Sequence, residues 1–217
     1  MKCLSEAIDK MDALSKRLSV VESETMRRGY RDPTGIDAHF KAACYVWVAA
    51  VLENAVGRYA TDLRTEILAR GTADDVLKCT VSQWLLATEW SLAAKPGRLG
   101  WAKRSGLAAG ELPTANMGQW SERQSFADGH TVEAKLLDAI WVVLELPDSP
   151  FTSPIQRGAL NNIHGLRNRV AHGEETPEEI GRKVTFEDVS RAIGHTQDIL
   201  VNWLLCTEQW LSSGGWK

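Results

Sequence analysis

Leu4, Met11 and Leu18 recur every seven residues along the first segment, and Ala7, Leu14 and Val21 each follow three positions later. Apolar side chains at that spacing form one stripe of a helix. Residues 2–28 are therefore expected to form an amphipathic helix. Its stripe can pack on the rest of the chain, pair as a short coil with a second copy, or receive a partner. Gly29, Pro33 and Gly35 break it. A second helix is expected over about residues 36–70. Its centre, residues 42–56, is apolar nearly all round, the mark of a helix in the middle of a core. Glu53 and Asn54 interrupt that run.

Thr72 with Asp75 three residues later resembles a capped helix start, so a third helix is expected from there to about Ala94. Pro96 and Gly97 end it. Residues 96–130, rich in glycine, are expected to form an irregular insert with short helices around 100–109 and 118–126. Its start is basic, with Lys95, Arg98, Lys103 and Arg104. A stripe of Leu136, Leu137, Ile140, Val143 and Leu144 predicts a helix over about 131–146. Ser153 followed by Pro154 predicts the cap and first turn of the next, which runs to Ala171 or His172. Gly173 is suited to its left-handed end. Thr185 and Asp188 open the last helix, to about Leu211, and residues 212–217 are expected to be loose. There is no convincing strand alternation and no internal repeat. The fold class expected is all-α: an antiparallel helical bundle over residues 34–217, with an N-terminal helical arm over 1–33 and the irregular insert at about 96–130.

Composition changes this picture little. At 217 residues the chain fits one domain, or one domain with an arm. Nine tryptophans are many for that length, and most are expected to fill core and interface space. The four cysteines, Cys3, Cys44, Cys79 and Cys206, have no metal-ligand spacing and read as reduced and mostly buried. A net charge of −3 argues against a sequence-blind nucleic-acid binder with a basic surface. It leaves room for a local positive cleft. No leader pattern and no membrane-length apolar stretch is visible, so a cytoplasmic location without membrane contact is expected.

The chemistry concentrates in Leu166-Arg167-Asn168-Arg169-Val170-Ala171-His172-Gly173. A guanidinium there can hold phosphate oxygens bidentately, and an imidazole can move protons near neutral pH. Asn168 lies four residues before His172, so both share a helix face, and the amide can orient the imidazole or contact a ribose. Between 157 and 172 the chain carries Arg157, His164, Arg167, Arg169 and His172 with no acid among them. Arg157, His164 and Arg169 are candidate substrate-binding residues. His164 lies two turns before His172 and reads equally as a packing histidine. Arg169 can instead pair with Glu174. Glu53 in the core helix needs a partner. It can be a plain buried ion pair, or it can contact Arg167 or His172 and help set the site. Arg58 and Arg64 are its alternative partners.

Arginine, a polar residue, three more residues and then histidine, at the end of a helix, resembles the signature of HEPN domains. The Arg-Asn-x-x-Ala-His-Gly form is similar to the subgroup found beside bacterial stress and phage-defence genes. The resemblance covers roughly residues 34–213. It implies a homodimer with the motif helices at the two-fold axis and a metal-independent endoribonuclease that needs no cofactor. Arg167, Asn168 and His172 would be its catalytic residues. RNA would be the substrate, and an antitoxin or defence-system protein a partner. The implied reaction is attack of the ribose 2′-hydroxyl on the adjacent phosphorus, leaving a 2′,3′-cyclic phosphate. HEPN toxins silenced by adenylylation carry a tyrosine two residues after the histidine. Here that residue is Glu174, which puts regulation by that route in doubt. Two other readings stay open: a non-catalytic HEPN-like module that binds RNA or nucleotide or scaffolds a partner, and a helical assembly protein driven by its N-terminal arm.

Overall fold

In a computed structural model of the chain, residues 1–30, 32–86, 98, 105–106, 114–127 and 131–217 are described. These form an all-α bundle, with seven helices and no strands. They are α1 (Lys2–Arg27), α2 (Ile36–Leu68), α3 (Cys79–Leu85), α4 (Ala134–Leu144), α5 (Pro154–Ala171), α6 (Pro177–Lys183) and α7 (Phe186–Ser212). One turn of 3₁₀ helix, Met117–Gln119, precedes α4.

The central helix is α2, which packs against α1, α5, α6 and α7. That environment explains its apolar periphery: neighbours cover it on several sides, so few positions can stay polar. The heptad stripe of α1 is buried against α2 and α7, with Leu4 and Met11 fully covered. Those side chains belong to the same contiguous core as Leu52, Leu63, Leu137, Leu160 and Trp203. Arg58 of α2 ties to Glu6 of α1 at 2.5 Å. The N-terminal helix thus packs on the body of the chain.

Three boundaries differ from expectation. The helix expected from Thr72 begins only at Cys79. Thr72 and Asp75 do meet, with the Thr72 N–H donating to Asp75 Oδ2 at 3.1 Å, but they close a turn. The backbone beyond is claimed by distant partners. Leu77 N–H donates to the Ala115 carbonyl at 2.8 Å, Lys78 N–H to the Trp216 carbonyl at 2.8 Å, and Val76 forms an isolated bridge with Asn116. Residues 87–94 of that expected helix, and most of the one expected at 100–109, lie outside the described residues. The helix expected over 118–126 is only the 3₁₀ turn at Met117–Gln119. The tail is not loose: Trp216 is buried, and Lys217 pairs with Asp75 at 3.3 Å.

Helix α6 was not anticipated. Thr176-Pro177-Glu178-Glu179 carries a full capping box with proline in the first turn. Gly181 of α6 sits against the α2 backbone. A Cβ built there would lie 1.8 Å from the Ala38 carbonyl oxygen, so the close approach of the two helices requires glycine.

Candidate active site

Helix α5 starts where Ser153 and Gln156 cap each other's backbone N–H groups, with Pro154 in the first turn. It is anchored through Leu160, Ile163 and Leu166, all buried. It ends at His172. The Gly173 N–H donates to the Val170 carbonyl and the Glu174 N–H to the Arg169 carbonyl, with Gly173 at φ +69°. That is a Schellman ending, which an L side chain at position 173 would strain.

His164, Asn168 and His172 recur every four residues, and Arg167 lies beside them. All four line one cavity of about 870 Å³. The facing walls are Glu53 and Val56 of α2, residues 127 and 131–133, and Lys135, Leu136 and Ala139 of α4. The described end of the insert therefore reaches the cavity. Its course is set upstream, where Arg64 Nε donates to the Trp120 carbonyl at 2.5 Å and Trp84 stacks on Phe126 with centroids 4.1 Å apart. Asn161 of α5 accepts the Ala134 N–H at 3.2 Å, which fixes the start of α4 against the motif helix.

Inside the cavity a polar chain runs from α2 to α5. Glu53 Oε1 lies 3.3 Å from Arg167 Nη2. Arg167 Nη1 donates to Asn168 Oδ1 at 3.1 Å, and Thr131 Oγ1 donates to the same oxygen at 3.1 Å. Asn168 Nδ2 meets His164 Nε2 at 2.9 Å. The Arg167 and Glu53 side chains are 29% and 31% exposed, so both stay within reach of a ligand. His172 is exposed, and among the described residues its imidazole has no hydrogen-bond partner. Glu53 is thus paired with Arg167. Its two alternative partners are engaged elsewhere, Arg58 with Glu6 and Arg64 with Glu122.

Not every candidate converges. Arg157 shares the ridge of His164 but sits about 10 Å further up the axis, at 1.5 Å per residue. It is held by two 2.7 Å bonds to Asp138 of α4 and lies over the Phe151 ring. The Asp138 hydrogen bond raises its pKa further above the usual arginine value. Arg169 turns away from the cavity and binds Glu175 at 2.5 Å, and Glu175 is also held by Lys183 of α6. Neither arginine lines the cavity. Asn168 orients His164 rather than His172. Nothing in the local sequence marks Thr131, Glu133 or Lys135 as site residues. They belong to the site because the segment before α4 folds over α5.

The charge of the cavity is mixed. Arg167 and Lys135 face Glu53 and Glu133, so the acid-free stretch at 157–172 does not translate into an acid-free cleft. Among the described residues no group of three or more His, Cys, Asp or Glu side chains converges as a metal site. No described helix is long and apolar enough to cross a membrane. Comparison of the chain with family models, curated proteins and solved structures finds no match.

Proposed function

We propose that this chain is a HEPN-like endoribonuclease that cleaves RNA without a metal or cofactor, acting in the cytoplasm as a toxin or phage-defence effector. The observation that carries the reading is the convergence of Arg167, Asn168 and His172 on one cavity, with Arg167 held by Glu53 and Asn168 and the His172 ring exposed.

In the proposed step the ribose 2′-oxygen attacks phosphorus and the bond to the 5′-oxygen breaks. A base takes the 2′-hydroxyl proton and an acid protonates the departing 5′-oxygen. Arg167 stabilises the charge that builds on the non-bridging oxygens. His172 carries one proton. In a homodimer formed around the ends of α5, the second imidazole is the His172 of another copy. Asn168 acts at one remove, by aligning the guanidinium.

The nucleophile gives the test. An RNA with a single 2′-deoxy nucleotide at the scissile position should resist cleavage there, while its all-ribose counterpart is cut to a 2′,3′-cyclic phosphate and a 5′-hydroxyl. Cleavage that ignores the 2′-deoxy substitution, or that leaves a 5′-phosphate, would contradict the mechanism. A purified, folded protein that cuts no RNA would shift the weight to a binding or scaffold module.

A further inference from the structure

His164 is the second imidazole in the cavity, and its contacts define the state of its two ring nitrogens. Arg167 can only donate hydrogen bonds. The Asn168 atom it meets at 3.1 Å must therefore be the carbonyl oxygen, which also accepts from Thr131. That fixes the amide, because its NH2 is then the group 2.9 Å from His164 Nε2. An NH2 donates, so Nε2 accepts and bears no proton. The ring proton of neutral His164 must sit on Nδ1. Nδ1 is shielded from solvent and has no partner among the described residues.

We propose that His164 is a positioning residue: a fixed hydrogen-bond acceptor that holds Asn168, and through it Arg167, in the geometry of the cavity, and that it carries no proton in the reaction. Its tautomer follows from the contacts alone, while its kinetic role rests on the ribonuclease reading. One ring nitrogen is occupied by Asn168 and the other is closed to solvent, so neither can exchange a proton with a substrate. His172, exposed and without a side-chain hydrogen bond among the described residues, has the opposite character. The hydrogen bonds Arg167–Asn168–His164 then run in one direction, from the guanidinium through the amide to the imidazole acceptor, with the Glu53 carboxylate beside the guanidinium as an ion-pair partner.

Two measurements on the full chain test this. The first reads the tautomer by long-range proton–nitrogen NMR on protein labelled at histidine nitrogen, with the His164 signals assigned by their loss in His164→Gln. At neutral pH, Nδ1 should be protonated and Nε2 pyridine-like. Asn168→Asp replaces the donating NH2 with an accepting oxygen and should move the proton to Nε2. A wild-type His164 with its proton on Nε2, or a tautomer indifferent to Asn168→Asp, would overturn the assignment.

The second is kinetic. A glutamine carboxamide can place an accepting oxygen near the position of Nε2 but cannot carry a proton at neutral pH. His164→Gln should therefore keep kcat within a few-fold of wild type. His164→Ala should lower it by about 100-fold, the scale of a misplaced catalytic group, with little change in KM. Equal losses in the two variants would make His164 a proton carrier and end the proposal. Absence of cleavage by the wild type would remove the ribonuclease reading alone, since the NMR still decides the tautomer.

Discussion

Arg167 owes its position to two contacts of different kinds, an ion pair with a carboxylate on α2 and a hydrogen bond to an amide on its own helix. Glu53→Gln keeps the shape of the first and removes its charge. We expect this variant to stay folded and to lose about tenfold in kcat/KM, equivalent to about 1.4 kcal/mol. Steady-state cleavage beside a urea melt checks both halves of that statement. Gly173 makes a separate, structural demand. Its φ of +69° closes the helix immediately after His172, and Gly173→Ala should cost about 1–2 kcal/mol in stability. The cysteines offer a third residue-scale test. Burial pushes the Cys3 thiol up to about 12 and the Cys44 thiol to about 11, and raises Cys206 as well, whereas Cys79 is exposed. A thiol reagent at neutral pH should label Cys79 fast in the native protein and the other three only on unfolding.

At this scale the motif was legible and its wiring was not. Residue types and helical spacing placed Arg167, Asn168 and His172 together. They could not show that Asn168 is spent on Arg167, Thr131 and His164, because Thr131 reaches it from another segment. Arg157 and Arg169 looked equally available in the sequence. Asp138 and Glu175, brought in by α4 and by the loop before α6, take them out of the cavity.

Among the elements, helices with a long amphipathic or apolar stripe were legible in the sequence, as was the capped start of α5. The α1 stripe, the apolar centre of α2 and the Ser153–Pro154 start of α5 all follow from local rules. Local rules failed where tertiary partners took the backbone. The Thr72–Asp75 pair is a sound cap, but carbonyls of Ala115 and Trp216 draw the following residues into extended chain. Helix α6 is too short to show an apolar stripe, and its signal is the capping box of Thr176 and Glu179 alone. Two substitutions probe these elements. Met11→Ala, at a fully buried position of α1, should cost about 2–5 kcal/mol, the usual range for such a core truncation. Gly181→Ala should cost about 1–3 kcal/mol through overpacking, since its Cβ would strike the Ala38 carbonyl. A glycine-to-alanine change on an exposed helix face would stabilise instead, so the sign itself tests the contact between α2 and α6. Chemical denaturation of both variants gives the values.

For the whole molecule, acid is the informative variable. Backbone hydrogen bonds at helix starts hold the Glu179 and Asp188 carboxyls below their ordinary range. A carboxyl with a depressed folded pKa contributes stability above its unfolded value, about 3.9 for Asp and 4.3 for Glu, and loses it as pH falls through the folded value. The urea midpoint should therefore drop between about pH 5 and pH 3. Glu179→Gln and Asp188→Asn together should flatten that drop. The same experiment on the His164 and His172 variants gives the fold control that any activity comparison needs.

Cleavage chemistry at the end of α5 decides the proposed function. The most direct measurement is cleavage of total RNA and transfer RNA in EDTA by the wild type, Arg167→Ala and His172→Ala at matched stability. Cleavage by the wild type, lost in both variants, is the expected result. Equal cleavage by all three proteins, or cleavage by the wild type that disappears on chelation, would contradict the proposed function.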